Sequence, residues 1–151
     1  MLLFSVAPRT RWLFCALCAV CLCCSSGEGG GTIVEPKATT EQTSWTDQER
    51  AQEIAVKTLR KTESASYHVI RLSGAEKPHT HDRSDLSVFV LRGAVRMHLA
   101  DRVIDVGPGD VIDIPRGVVH WAENVAGGAS EAYAVFAPPF DGKDRRFVGA
   151  K

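Results

Sequence analysis

The sequence predicts a single all-β domain of the sandwich or barrel kind, and three observations carry that prediction. From Ser64 onward, runs rich in Val, Ile, Leu and aromatic residues alternate with polar residues at period two and are broken by Gly, Pro and Asp at nearly regular intervals. The chain has 151 residues, 44% hydrophobic and 24% charged, which suits one packed domain rather than a disordered or fibrous chain. Its five cysteines, Cys15, Cys18, Cys21, Cys23 and Cys24, all lie within ten residues near the start, so the remainder has no disulfide framework and must fold by packing.

Composition also excludes functions. Eighteen basic side chains balance eighteen acidic ones, which argues against a nucleic-acid binder, since that role needs a basic face to neutralise phosphates. No Gly-rich phosphate loop, G-x-S-x-G elbow or domain cysteine nucleophile is present.

Residues 1–24 read as a targeting leader. Arg9 and Arg11 precede an uncharged apolar run from Trp12 to Leu22, too short to span a bilayer comfortably and the right length for a secretory signal. Small residues follow, and Val20-Cys21-Leu22-Cys23-Cys24-Ser25-Ser26 resembles a bacterial lipobox, with Cys24 as the first choice of lipid acceptor and Cys23 the second. The expectation is an exported protein, in the cell envelope or periplasm, anchored to a membrane through its N-terminal lipid or leader alone. Residues 25–45, rich in Ser, Gly, Thr and Glu, read as a flexible tether.

Residues 46–63 are expected to hold one amphipathic helix outside the barrel. Thr46 and Glu49 fit a capping box, and Ala51, Ile54, Ala55 and Leu59 recur at helical spacing over about residues 47–61. Residues 64–151 form the β domain, with strands expected at 67–72, 87–91, 95–99, 102–106, 111–114, 118–122 and 131–137. No internal repeat or second domain is visible.

Chemistry concentrates in the histidines. His79 and His81 are two apart, so on a strand both rings leave the same face, with Cα atoms roughly 6.5 Å apart. Their nitrogens can converge on one ion. His68 and His98 read as structural or merely exposed, and Trp121 should point away from the face that carries His120.

The segment Gly109-Asp-Val-Ile-Asp-Ile-Pro115-Arg-Gly117-Val-Val-His120-Trp-Ala-Glu-Asn124 resembles the second cupin motif, G-x5-P-x-G-x2-H-x3-N, at every fixed position. Gly74, His79, His81 and Gly93 resemble part of the first, with one residue fewer between Gly74 and His79. The resemblance covers about residues 67–140. It implies a double-stranded β-helix, or jelly-roll barrel, in which His120 faces His79 and His81 from another strand and completes a site for a divalent transition metal ion: Fe, Mn, Ni, Cu or Zn. Gly93, Gly109, Gly117 and Pro115 would be scaffold.

The sequence departs from the pattern where the family carries a glutamate ligand. Leu86 stands there, with Asp85 one residue earlier. Three readings stay open: Asp85 as a fourth ligand through a local shift, a three-histidine site, or histidines satisfied by hydrogen bonds without metal. Asp82 and Glu123 are the other acids near the motifs. The resemblance further implies a small-molecule ligand, a metal-dependent dioxygenase or isomerase if the protein is an enzyme, a non-catalytic binding module otherwise, and a homodimer formed by sheet packing.

Overall fold

The computed structural model describes residues 44–149. The leader, Cys23 and Cys24, and the tether as far as residue 43 lie outside the described residues.

The described residues form ten strands: β1 (Ile54–Lys61), β2 (Ser66–Leu72), β3 (His79–His81), β4 (Asp85–Arg92), β5 (Val95–Leu99), β6 (Arg102–Val106), β7 (Val111–Ile114), β8 (His120–Asn124), β9 (Ser130–Ala137) and β10 (Arg145–Phe147). They form two antiparallel sheets, ordered β1-β2-β9-β4-β7 and β10-β3-β8-β5-β6. Leu86, Val88 and Val90 of β4, Val95, Met97 and Leu99 of β5, Ala134 and Phe136 of β9 and Ala122 of β8 fill the space between the sheets. This is the all-β class that period two predicts and the jelly roll that the motif resemblance implies. Among the described residues no helix is long and apolar enough to cross a membrane.

The helix expected at 47–61 is corrected. Only α1 (Asp47–Arg50) is helical. Its capping box is as read: Glu49 N–H donates to Thr46 Oγ1 at 3.3 Å and Thr46 N–H to Glu49 Oε2 at 2.7 Å. The chain then becomes β1, an edge strand paired with β2 from Ile54↔Leu72 to Lys61↔Ser66. Ile54, Val56 and Thr58, β-branched at every second position, favour extended backbone and share one face, a period the helical count passed over. Pairing with β2 satisfies backbone groups that a four-residue helix leaves open.

The tether also ends sooner than residue 45. Trp45 is buried against Ala55 and Val69 on the outer face of the first sheet, and its indole Nε1 donates to Glu131 Oε1. The run of expected strands also lacked β10, and it held β3 only as the extended segment on which His79 and His81 share a face. Each is only three residues long, too short to display a period.

Candidate metal centre

β3 runs beside β8, with His79 directly opposite His120. Strand alternation sends His79 and His81 to one face of β3 and His120 to the same face of the sheet, and all three are buried. Ring centroids lie 5.1 Å apart for His79 and His81, 4.4 Å for His79 and His120, and 5.3 Å for His81 and His120. One nitrogen from each ring lies within 4.8 Å of the others.

Hydrogen bonding sets the tautomers. His79 Nδ1 lies 2.8 Å from the Lys77 carbonyl oxygen, and His120 Nδ1 lies 2.9 Å from that of Val118. A carbonyl oxygen only accepts, so each Nδ1 carries the proton and donates it, leaving Nε2 with a free lone pair. His120 Nε2 is buried and has no hydrogen-bond partner. An orphaned acceptor in a closed barrel is costly unless something electrophilic meets it.

Protonation works in the same direction. Burial, the neighbouring positive charge of Arg145 and mutual repulsion push His79 down to about 3. Burial and His120 push His81 down to about 4, although Asp144 pulls it upward. His120 is lowered too, chiefly by burial. Three neutral imidazoles, two of them with Nε2 left free by their backbone hydrogen bonds, are the donor set that first-row transition metals take, so these residues fit a metal ion.

An expected result follows for the metal-free protein. An unfolded chain binds protons on these histidines near pH 6.5, whereas the folded His79 and His81 resist protonation down to about 3 and about 4. The unfolded state holds more protons across that window, so stability falls as pH drops from about 6.5 towards 4. Each such histidine contributes up to about 1.4 kcal/mol per pH unit. Glu76, whose carboxyl is raised by burial, acts in the opposite sense over its own range. Urea midpoints measured between pH 7 and pH 4 check the sign; a flat profile would contradict it.

The acids differ from expectation. Asp85 does not join the histidines: it begins β4 facing outward, because Leu86 takes the inward position. Its carboxylate is exposed and clasped by the Arg116 guanidinium, at 3.0 Å from Nε and 2.7 Å from Nη2, and by the Arg116 N–H at 2.9 Å, which hold it at about 2. Asp82 is exposed and bound by Thr80 Oγ1 and Arg146. Glu123 lies on the outer face near His98, and His98 stacks on Trp121 with centroids 4.2 Å apart. His68 is buried between Ser66 Oγ at 2.8 Å and Thr58 Oγ1 at 3.1 Å, a structural role as read.

Two acids missed by the sequence reading stand at the site instead. Asp144 is buried, accepts from the Arg83 N–H at 2.6 Å and the Ser84 N–H at 3.2 Å, and brings Oδ2 to 3.6 Å from His81 Nδ1. Where His79 and His120 lean on backbone carbonyls, His81 has a carboxylate behind it. Glu76 lines the cavity, with Oε2 accepting the Ala122 N–H at 3.2 Å and Oε1 at 3.3 Å from Arg145 Nη2. Both acids sit in loops, where no periodicity marks a side chain's direction. Asp144→Asn is expected to weaken transition-metal affinity roughly 10- to 100-fold, the usual cost of losing an outer partner of a ligating histidine. Competition titration against a chelating dye measures it, and an unchanged affinity would remove Asp144 from this role.

The imidazoles open onto a cavity of about 140 Å³ between the sheets, whose wall is largely apolar and includes Val88, Met97, Ile114, Phe136 and Phe140.

Comparison with known proteins agrees with this architecture. The chain is 34% identical over 93 residues to an uncharacterized protein of Aquifex aeolicus (strain VF5), covering 62% of this chain and 76% of that one. KdgF from Halomonas sp. superposes with a TM-score of 0.61 at 24% identity, over 69% of this chain and 94% of its own. A Streptomyces PAC13 variant solved with uridine gives 0.61 at 19% identity, over 77% and 92%. At these identities the two solved structures speak for the fold alone. Residues 67–136 match the family model described as the cupin domain, and with the facing histidines of β3 and β8 inside a two-sheet barrel, this part of the chain is a cupin domain.

Proposed function

We propose that the protein binds one divalent transition metal ion through His79, His81 and His120 and presents it to a small molecule in the barrel. The observation that carries this reading is the buried, unpartnered Nε2 of His120 beside two further neutral imidazoles. Three protein ligands leave coordination positions open, so a bound ion would supply Lewis acidity or, as Fe or Cu, redox chemistry with dioxygen. The protein's own contribution is to orient the rings through the Lys77 and Val118 carbonyls and Asp144, and to exclude water with the apolar wall. A small-molecule partner accords with PAC13, a protein of the same fold solved with uridine.

Two uses of such a site divide on turnover. A metal-dependent oxygenase or isomerase needs a group free to move protons. A binding module does not, and one observation favours it: Glu76 and Asp144 are each already engaged by backbone N–H donors. Elemental analysis of the protein purified from its native compartment tests the metal reading, which fails if no ion binds even after reconstitution. Product formation from candidate substrates by the loaded protein then separates enzyme from carrier.

We also propose that the chain is exported and lipidated at Cys24, or at Cys23, on the strength of its leader composition. Metabolic lipid labelling that survives Cys23→Ser with Cys24→Ser, or fails in the unaltered chain, contradicts this.

A further inference from the structure

The cavity wall is mostly apolar, and beside the histidines it also carries a cation. Arg145 of β10 is paired across from His81 and lines the cavity. A guanidinium has five N–H donors and no acceptor, so it needs oxygen partners. Arg145 Nη2 has one, Glu76 Oε1, at a long 3.3 Å. It also lies 3.3 Å from His79 Nδ1, but that nitrogen already donates to Lys77 and cannot accept. Arg145 Nε is buried with no hydrogen-bond partner. Its guanidinium also lies 5.0 Å from the Phe147 ring centroid, a contact that leaves the N–H donors unspent.

We propose that Arg145 receives the carboxylate of a small organic acid whose apolar body occupies the cavity. A carboxylate is planar and takes two parallel N–H donors from a guanidinium fork, which a hydroxyl cannot do. A compact, doubly charged phosphate suits the apolar wall poorly because of its desolvation. The body is limited in size: a cavity near 150 Å³ accepts roughly a benzene ring, and this one is about 140 Å³. A divalent ion on three neutral imidazoles would make this end of the cavity more positive still, again favouring an anion. The inference deepens the proposed function by naming the ligand class of the same site.

Calorimetric titration with benzoate, benzyl alcohol and inorganic phosphate tests it, using metal-loaded and metal-free full-length protein with metal content measured in each sample. Benzoate is expected to bind at least about 10-fold more tightly than benzyl alcohol and more tightly than phosphate. Arg145→Gln is expected to weaken benzoate roughly 10- to 100-fold at equal metal content, and Arg145→Lys, which keeps the charge but loses the fork, by less. Should the glutamine variant fail to fold, the lysine variant and the benzoate-to-alcohol ratio of the unaltered protein decide. Equal binding of benzoate and benzyl alcohol, preference for phosphate, or benzoate affinity indifferent to both variants would overturn the proposal. Benzoate binding that vanishes with the metal yet ignores Arg145→Gln would assign the carboxylate to the ion alone and overturn it too. Arg145-dependent binding in a protein that takes up no metal would uphold it while removing the metal reading.

Discussion

His120→Ala is expected to abolish useful transition-metal binding, lowering affinity by more than about 100-fold, because outer partners of ligating histidines alone account for 10- to 100-fold. The ring comes from the start of β8, and apart from His79 and His81 no imidazole among the described residues reaches the same point. His68 is tied to Ser66 and Thr58, and His98 lies on the outer face against Trp121. The reading is thermal. A ligand bound to the native state alone stabilises it by about 2.7 kcal/mol at a hundred times its dissociation constant, which raises the midpoint of a domain this size by roughly 10–20 °C. The unaltered protein should show such a rise with Ni²⁺ or Zn²⁺. His120→Ala should show none, and His98→Ala should behave like the unaltered protein. A metal-induced rise that persists in His120→Ala would sink the three-histidine assignment.

Gly93→Ala is the substitution expected to damage stability most without touching the histidines. Gly93 turns the chain between β4 and β5 at φ +83°, where a side chain costs about 1–2 kcal/mol. An added Cβ would also stand 2.2 Å from Ser130 Oγ and 2.7 Å from Ser130 Cα. The second contact is with backbone and cannot swing away. Ser130 is nearly fully buried and anchors a small network: its hydroxyl accepts from the Ala94 N–H at 3.0 Å and donates to Asn124 Oδ1 at 2.6 Å. Adding the usual overpacking cost gives about 2–5 kcal/mol in all. Gly109→Ala separates the two causes, since Gly109 has a similar φ of +94° but nothing within 4 Å of its missing Cβ. It should lose only the backbone part, about 1–2 kcal/mol. Equal losses in the two variants, measured by urea unfolding, would show that the Ser130 contact relaxes.

The same network explains two motif positions. Gly93 and Asn124 stand far apart in the sequence, yet both meet Ser130, which ties the β4–β5 turn to the end of β8. They hold the β4–β5 turn and the far end of β8, the strand that begins with His120, rather than the ligand. Ser130 itself gave no signal, because its importance lies in two contacts across the barrel.

Sequence alone determined the all-β class, seven of the strands and the capping box at Thr46, because period-two burial and capping spacing are local properties of the chain, while the motif resemblance implied that His120 faces His79 and His81. Tertiary structure decided the rest. Residues 54–61 became a strand because β2 offered a backbone ladder stronger than a weak helical stripe. Asp85 turned outward to Arg116 because Leu86 took the inward place. Asp144, Glu76 and Arg145 reached the histidines from loops and a three-residue strand, where direction depends on which segment packs nearby and leaves no period to read.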